Sequence, residues 1–182
     1  MMQNNPFGKE VSSLLKTWQH TFANAKNALD AGCAHGSNAK FLASFGIQVD
    51  AVDIKLPPHE VNTQINYIQS DILTFAFDKK YDVILALNVL QFLTAKDKYK
   101  IMDCFIKSLS QGGVIFIRSF TQKDPSFNNS KIIKSHFAQD ELRRWAQNNR
   151  LKILAYDEKV INDCHEPIGK HQHGLVSLVA QK

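Results

Sequence analysis

A short apolar run, a turn carrying two glycines, a helical stretch and a second apolar run ending in a carboxylate follow one another near the start of this chain. In order they are Ala28-Leu29-Asp30-Ala31, Gly32-Cys33-Ala34-His35-Gly36, residues 37–45, and Ile47-Gln48-Val49-Asp50-Ala51-Val52-Asp53. A glycine turn between strand and helix restricts the fold strongly, because it allows dihedrals and a close backbone approach that a Cβ would hinder. Asp53 lies 21 residues after Gly32, where a carboxylate at a strand end can accept hydrogen bonds from both hydroxyls of a ribose. The turn lacks the G-x-G-x-x-G spacing that cradles a pyrophosphate, which argues against a nicotinamide or flavin cofactor.

The remaining chain extends the same alternation. Residues 9–26 place Val11, Leu14, Leu15, Trp18, Phe22 and Ala25 at helical spacing, predicting an amphipathic N-terminal helix. A helix over 37–45 stops at Gly46. Residues 65–71 suit a third strand. Tyr81-Asp82-Val83-Ile84-Leu85-Ala86-Leu87 is almost continuously apolar, as expected of a strand covered on both faces. Thr94 caps a helix running to about Leu109, with Asp97 in its first turn. Gln111-Gly112-Gly113 ends that helix, and 114–120 is a fifth strand. Residues 121–135 form a polar loop long enough to act as a lid or binding loop. An amphipathic helix over 137–149 carries Leu142 and Trp145, and 151–160 and 175–180 are two final strands. Alternating strands and helices imply a parallel sheet with right-handed crossovers. The short link between the last two strands makes them an antiparallel hairpin. The fold class is therefore α/β: a single Rossmann-like, doubly wound seven-stranded sheet, mostly parallel, with the last strand antiparallel.

With 182 residues, the chain is the size of one domain with a substantial core. No window approaches the roughly 18 apolar residues of a membrane span, and the first residues show no secretory pattern. Three widely spaced cysteines, Cys33, Cys104 and Cys164, do not make a disulfide framework and favour a reducing cytoplasm. Cys33 reads as a small packed residue of the turn, since no partner base can be assigned to it. The net charge of +5 is scattered. Its small groups, Lys96-Asp97-Lys98-Tyr99-Lys100 and Arg143-Arg144, read as solvated helix faces, weighing against a nucleic-acid partner.

With that order established, the chain resembles the class I S-adenosylmethionine-dependent methyltransferases over nearly its whole length. The residues that carry the resemblance are 29–36, Asp53, Ser70-Asp71-Ile72, 81–90 and Gly112-Gly113-Val114-Ile115. Gly36-Ser37-Asn38, Phe137-Ala138-Gln139-Asp140-Glu141-Leu142, and the tail from Tyr156 to Ala180 are most similar to the small tellurite-resistance-type methyltransferases. The resemblance implies a methyltransferase domain over 1–182, with a helical cap over 1–27 and a Rossmann-like core over 28–182. It implies S-adenosyl-L-methionine as cofactor and S-adenosyl-L-homocysteine as product. It assigns cofactor contacts to Asp30, Gly32, Cys33, Gly36, Asn38, Asp53, Ile54, Asp71, Ile72, Leu87 and Asn88. Family members often carry a further glycine where this chain has Ala34. If that position needs a positive φ, alanine costs up to about 1 kcal/mol.

The methyl acceptor is less legible. Methyl transfer from a sulfonium needs alignment and water exclusion more than a dedicated acid or base, so no catalytic residue is assigned. The loop between the last two strands falls at the carboxyl ends of the parallel strands, where doubly wound sheets bind ligands. It carries His165, Lys170, His171 and His173. Three readings stand: solvated loop residues, positioning of an anionic substrate, or a metal site, for which the spacing matches no zinc signature, so no metal is assigned. Arg118 near the end of the fifth strand could add an anion-binding fork. His35 orients the glycine turn, and Tyr156 and Phe127 are pocket walls or core. The expected function is methylation of a small molecule by a cytoplasmic monomer or homodimer, with a chalcogen oxyanion or thiol-like acceptor. The alternatives are another metabolite, a macromolecule, or a non-catalytic S-adenosylmethionine sensor.

Overall fold

The computed structural model describes residues 10–59, 61–165 and 169–182. Residues 1–9 of the expected cap and 166–168 of the histidine segment lie outside the described residues, as does the side chain of His165.

The elements run α1 (Ser13–Thr17), a 3-10 turn (Gln19–Phe22), β1 (Asn27–Ala31), α2 (Ser37–Ala43), β2 (Gln48–Asp53), β3 (Ile65–Gln69), β4 (Tyr81–Leu87), a 3-10 turn (Leu90–Phe92), α3 (Ala95–Ser108), β5 (Leu109–Phe120), α4 (Glu141–Asn148), β6 (Lys152–His165) and β7 (Gly169–Gln181). The seven strands form one sheet in the order β3-β2-β1-β4-β5-β7-β6. β1 to β5 are mutually parallel, and β7 runs antiparallel to both neighbours. The doubly wound fold read from the sequence is the observed one.

Strand alternation splits the core between the two faces. In β4, Val83 and Leu85 join Ala28, Leu42, Val49 and Phe116 on the side covered by α1 and α2. Ile84 and Ala86 join Leu29, Met102, Phe105, Leu142 and Trp145 on the side covered by α3 and α4. This two-sided burial is why β4 has no polar face. α3 begins as expected: Thr94 accepts from the Asp97 N–H at 3.2 Å, and its hydroxyl donates to the Asp97 carboxylate at 2.7 Å.

Four boundaries differ from the sequence reading. The N-terminal helix is broken, because Thr17 and Thr21 turn their hydroxyls onto the carbonyls of Ser13 and Trp18, which competes with helix continuation. β5 starts directly after α3, where Leu109 pairs with Tyr81 ahead of a register shift. Phe137 is extended, bonded to Phe120 and Gln122, so α4 starts only at Glu141. The histidine segment is paired strand rather than loop: Asp163 faces His171 and Cys164 faces Lys170 across the hairpin. β5 ends where Phe120 pairs with Leu175, so the hairpin from Val160 to Gly174 continues beyond it as a two-stranded ribbon.

Candidate functional site

The carboxyl ends of β1, β2 and β4 surround the glycine turn. Gly32 and Gly36 have φ of +75° and +73°. A Cβ on Gly32 would lie 2.7 Å from the Val89 side chain, and one on Gly36 would lie 2.7 Å from the Tyr67 hydroxyl oxygen. Both positions therefore require glycine for conformation and for space. Ala34 has φ of +47°, so the left-handed requirement at that position holds, and alanine bears its strain.

The end of β2 ties the turn down. The Gly32 and Cys33 N–H groups donate to the Val52 carbonyl at 2.8 and 3.1 Å. Asp53, half-buried, accepts from the Ala34 N–H at 2.9 Å through Oδ2 and from the Lys55 N–H at 3.1 Å through Oδ1. Each oxygen retains acceptor capacity beyond these bonds. Ile54, next in the chain, is 68% exposed.

Asp30 is 1% exposed beneath the turn. Burial pushes its carboxyl up to about 7; the Ala39 N–H at the start of α2 opposes the shift, and the negative charge of Asp53 adds to it. Asp30 Oδ2, the Tyr67 hydroxyl and Asn88 Oδ1 are buried with no hydrogen-bond partner among the described residues. Such atoms are costly unless a ligand or water satisfies them. Asn88 itself has φ of +62°, held by its N–H on the Arg118 carbonyl at 2.8 Å. The unsatisfied Asp30, Tyr67 and Asn88 oxygens, with the acceptor capacity left on Asp53, are groups that a polar ligand would satisfy.

The other expected contacts divide. Cys33 is 3% exposed, and burial, reinforced by Asp30 and Asp53, pushes its thiol far above the ordinary value, so it is a packed residue rather than a nucleophile. Asn38 spends its side-chain oxygen on the Ser12 N–H at 2.9 Å, joining α2 to the segment before α1. Asp71 accepts from the Leu73 N–H at 2.9 Å, and Ile72 packs into the core at 6% exposure. Leu87 is partly buried at the end of β4, and His35 is partly buried within the turn.

On the hairpin side, Arg118 lies across β7 with Nε donating to the Ser177 hydroxyl at 3.2 Å. Burial lowers its pKa and the Asp157 charge opposes that. Tyr156 is held against the Arg143 guanidinium, 4.2 Å from its ring, and its hydroxyl donates to Glu158. It is a packing residue of the α4 face. Phe127 packs edge-on against His136.

His171 and His173 point to the same side of the ribbon, with Nε2 atoms 3.0 Å apart. His173 stacks on Phe120 at 4.9 Å and donates from Nδ1 to Asp124 at 3.0 Å. Asp124 is a centre that the sequence did not disclose. It also accepts from the Gly174 N–H at 3.1 Å and from the Ser126 N–H and hydroxyl at 2.8 and 2.5 Å. Burial disfavours its charge, yet the Ser126 and His173 bonds outweigh burial and hold the carboxyl below its ordinary value. The only hint in the sequence is the turn-type string Asp124-Pro125-Ser126. Tyr67 carries no hint at all, since it reads as an ordinary strand aromatic.

Sheet order, glycine turn and acidic strand ends together make a Rossmann-like α/β fold with a candidate ligand site at the carboxyl ends of its central strands. The profile of a family described as a methyltransferase domain matches residues 7–163, and the chain belongs to that family. Among solved structures, TehB from Haemophilus influenzae superposes with a TM-score of 0.77 at 18% identity, covering 94% of this chain and 62% of that one. A 1,6-didemethyltoxoflavin-N1-methyltransferase from Burkholderia thailandensis, solved with 1,6-didemethyltoxoflavin and S-adenosylhomocysteine, gives 0.70 at 16% identity, covering 91% and 74%. Among curated relatives, a carboxy-S-adenosyl-L-methionine synthase from Vibrio vulnificus is 24% identical over 81% of this chain and 64% of its own length. A chemotaxis protein methyltransferase from Listeria innocua is 38% identical over 32% of this chain, which spans only 22% of that relative. Among the described residues no helix is long and apolar enough to cross a membrane.

Proposed function

We propose that this chain transfers a methyl group from S-adenosyl-L-methionine to a small-molecule acceptor and releases S-adenosyl-L-homocysteine. One observation carries the reading: Asp53 closes the glycine turn through the Ala34 N–H, while Asp30 Oδ2 near the end of β1 and Asn88 Oδ1 just after β4 are buried and unsatisfied. In this reading Asp53 takes the ribose hydroxyls, Ile54 covers the adenine, and Asp71 and Ile72 flank it. Gly32, Cys33 and Gly36 pass along the methionine portion, Asp30 and Asn38 fix the turn about it, and Leu87 and Asn88 lie under the sulfur.

When bound, the donor supplies an electrophilic methyl group on a sulfonium. The protein's share is to hold the acceptor in line and keep water out. The acceptor side is assigned to Arg118, His165, His171 and His173. Arg118, half-buried near the carboxyl end of β5, supplies cationic donors and the histidines supply ring nitrogens, which supports an anionic or thiol-like acceptor such as a chalcogen oxyanion. A monomer or homodimer in the cytoplasm, with neither nucleic acid nor membrane as partner, suits such a substrate.

Calorimetry with donor and product, followed by a product-release assay over chalcogen oxyanions and thiols, tests the reading. Asp53→Ala weakens donor binding at least about tenfold, or about 1.4 kcal/mol. Unchanged affinity in that variant sinks the ribose assignment. Tight binding without turnover on any acceptor indicates a sensor, for which the strained Ala34 is the motivating feature.

A further inference from the structure

The ribbon beyond β5 gathers a group of side chains that the methyl-donor site does not use. Asp163 sits directly opposite His171, and His173 follows two residues later, so the pleat puts all three on one face. One ligand atom from each of Asp163, His171 and His173 lies within 4.8 Å of the others.

The hydrogen bonds behind the rings determine what they present. His171 Nδ1 lies 2.8 Å from the Gly169 carbonyl oxygen, which can only accept. His173 Nδ1 lies 3.0 Å from the Asp124 carboxylate, whose bonds from Ser126 and Gly174 also mark it as an acceptor. Both Nδ1 atoms are therefore donors, and in neutral rings both Nε2 atoms are acceptors. Those two nitrogens face each other at 3.0 Å. Two such nitrogens at that distance are reconciled by a cation between them, either a shared proton or a metal ion. Two nitrogens bound to one tetrahedral zinc ion stand about 3.3 Å apart, from Zn–N lengths of about 2.0–2.1 Å, so an opening of a few tenths of an ångström suffices.

The surroundings match those of a metal ligand set. A histidine that binds a metal through Nε2 commonly donates its other N–H to a carboxylate or a backbone carbonyl, which fixes ring and tautomer. His173 and His171 show one of each. Stacking on Phe120 at 4.9 Å and an interplanar angle of 21° holds the His173 ring further. Asp124, with 2% of its side chain exposed, anchors this support to the loop after β5.

We propose that Asp163, His171 and His173 form a binding site for a divalent first-row transition ion of the zinc class, with Asp124 as the positioning residue for His173. Two imidazoles and one carboxylate leave a fourth position for water or an anionic ligand. The proposal is independent of the methyl-donor reading, since none of the three ligands belongs to the glycine turn; it replaces direct contact of His171 and His173 with an acceptor by contact through the bound ion.

The test uses the tag-free full chain, stripped with chelator and titrated with Zn2+ by calorimetry and with Co2+ by visible absorption. One ion binds per chain, and Co2+ gives the strong bands of a four-coordinate site. His171→Ala and Asp163→Asn each weaken Zn2+ binding at least about tenfold. Asp124→Asn weakens it while leaving the Co2+ stoichiometry at one, which separates positioning from ligation. His20→Ala, remote in sequence on the 3-10 turn after α1, binds as the parent does. Binding unchanged in the His171 and Asp163 variants, or no stoichiometric binding to the parent, overturns the site. Histidine NMR signals that titrate together with pH but ignore Zn2+ show a shared proton instead, and overturn it equally.

Discussion

Gly174→Ala is the most informative single substitution for the way the histidine ribbon is joined to the sheet. Gly174 is buried where β7 passes under the loop that follows β5. An added Cβ would lie 2.4 Å from the Asp124 nitrogen, 2.5 Å from the Lys123 carbonyl carbon and 2.8 Å from Thr121 Oγ1. Two of these are backbone atoms, so no rotamer change relieves the clash. The backbones must separate, which strains the Thr121 N–H to Gly174 carbonyl bond at 2.8 Å and the Gly174 N–H to Asp124 bond at 3.1 Å. Overpacking costs about 1–3 kcal/mol, and each weakened hydrogen bond about 1 kcal/mol or less. Together they come to about 2–4 kcal/mol. For a chain of this length each kcal/mol lowers Tm by about 2–4 °C, so the variant melts about 4–16 °C below the parent in a far-ultraviolet circular dichroism scan. A change in Tm under about 2 °C refutes the claim that this backbone crossing holds loop and ribbon together.

Two further outcomes test the charges within the fold. In the ligand-free protein, burial raises the Asp30 carboxyl to about 7. Between about pH 4 and pH 7 the folded state then keeps a proton that the unfolded chain has released, and stability falls as pH rises through that window, by about 4 kcal/mol at most. Urea unfolding across that range shows the decline in the parent, and Asp30→Asn flattens it; a parent that gains stability toward pH 7 from this group contradicts the assignment. Lys98, 2% exposed, is bonded to Glu141 at 2.9 Å and sits 3.8 Å from the Phe137 ring centroid. Glu141→Gln leaves that ammonium without its counter-charge and costs about 3–5 kcal/mol, whereas Lys98→Met costs less because the apolar stem is replaced. Equal losses in denaturant midpoints would count against a desolvated lysine.

The chain was legible wherever one local signal sufficed. The unbroken apolar run of β4 announced two-sided burial, and the Thr94-Asp97 spacing announced the start of α3, because both depend on residues near in sequence. Gly32, Gly36 and Asp53 were legible for the same reason: a tight turn and a strand-end carboxylate leave a fixed spacing. The spacing of Phe137 fits a helix start, but it equally fits the extended residue observed, bonded to Phe120 and Gln122. The side-chain oxygen of Asn38 accepts from the Ser12 N–H, a contact across 26 residues that nothing in the local spacing reveals.

The amino-acid sequence by itself determined the alternation of elements, the parallel sheet with its antiparallel hairpin, and the left-handed backbone of the glycine turn, since periodicity and backbone requirements act over a few residues. Only the tertiary structure decided which polar groups meet. Asp124 and His173 lie 49 positions apart, and Tyr67 reaches Gly36 only through the pairing of β3 with β2. Extending the hairpin past β5 turned a string of histidines read as loop into a ribbon with one common face. That outcome depends on backbone pairing across strands, which composition and spacing do not encode.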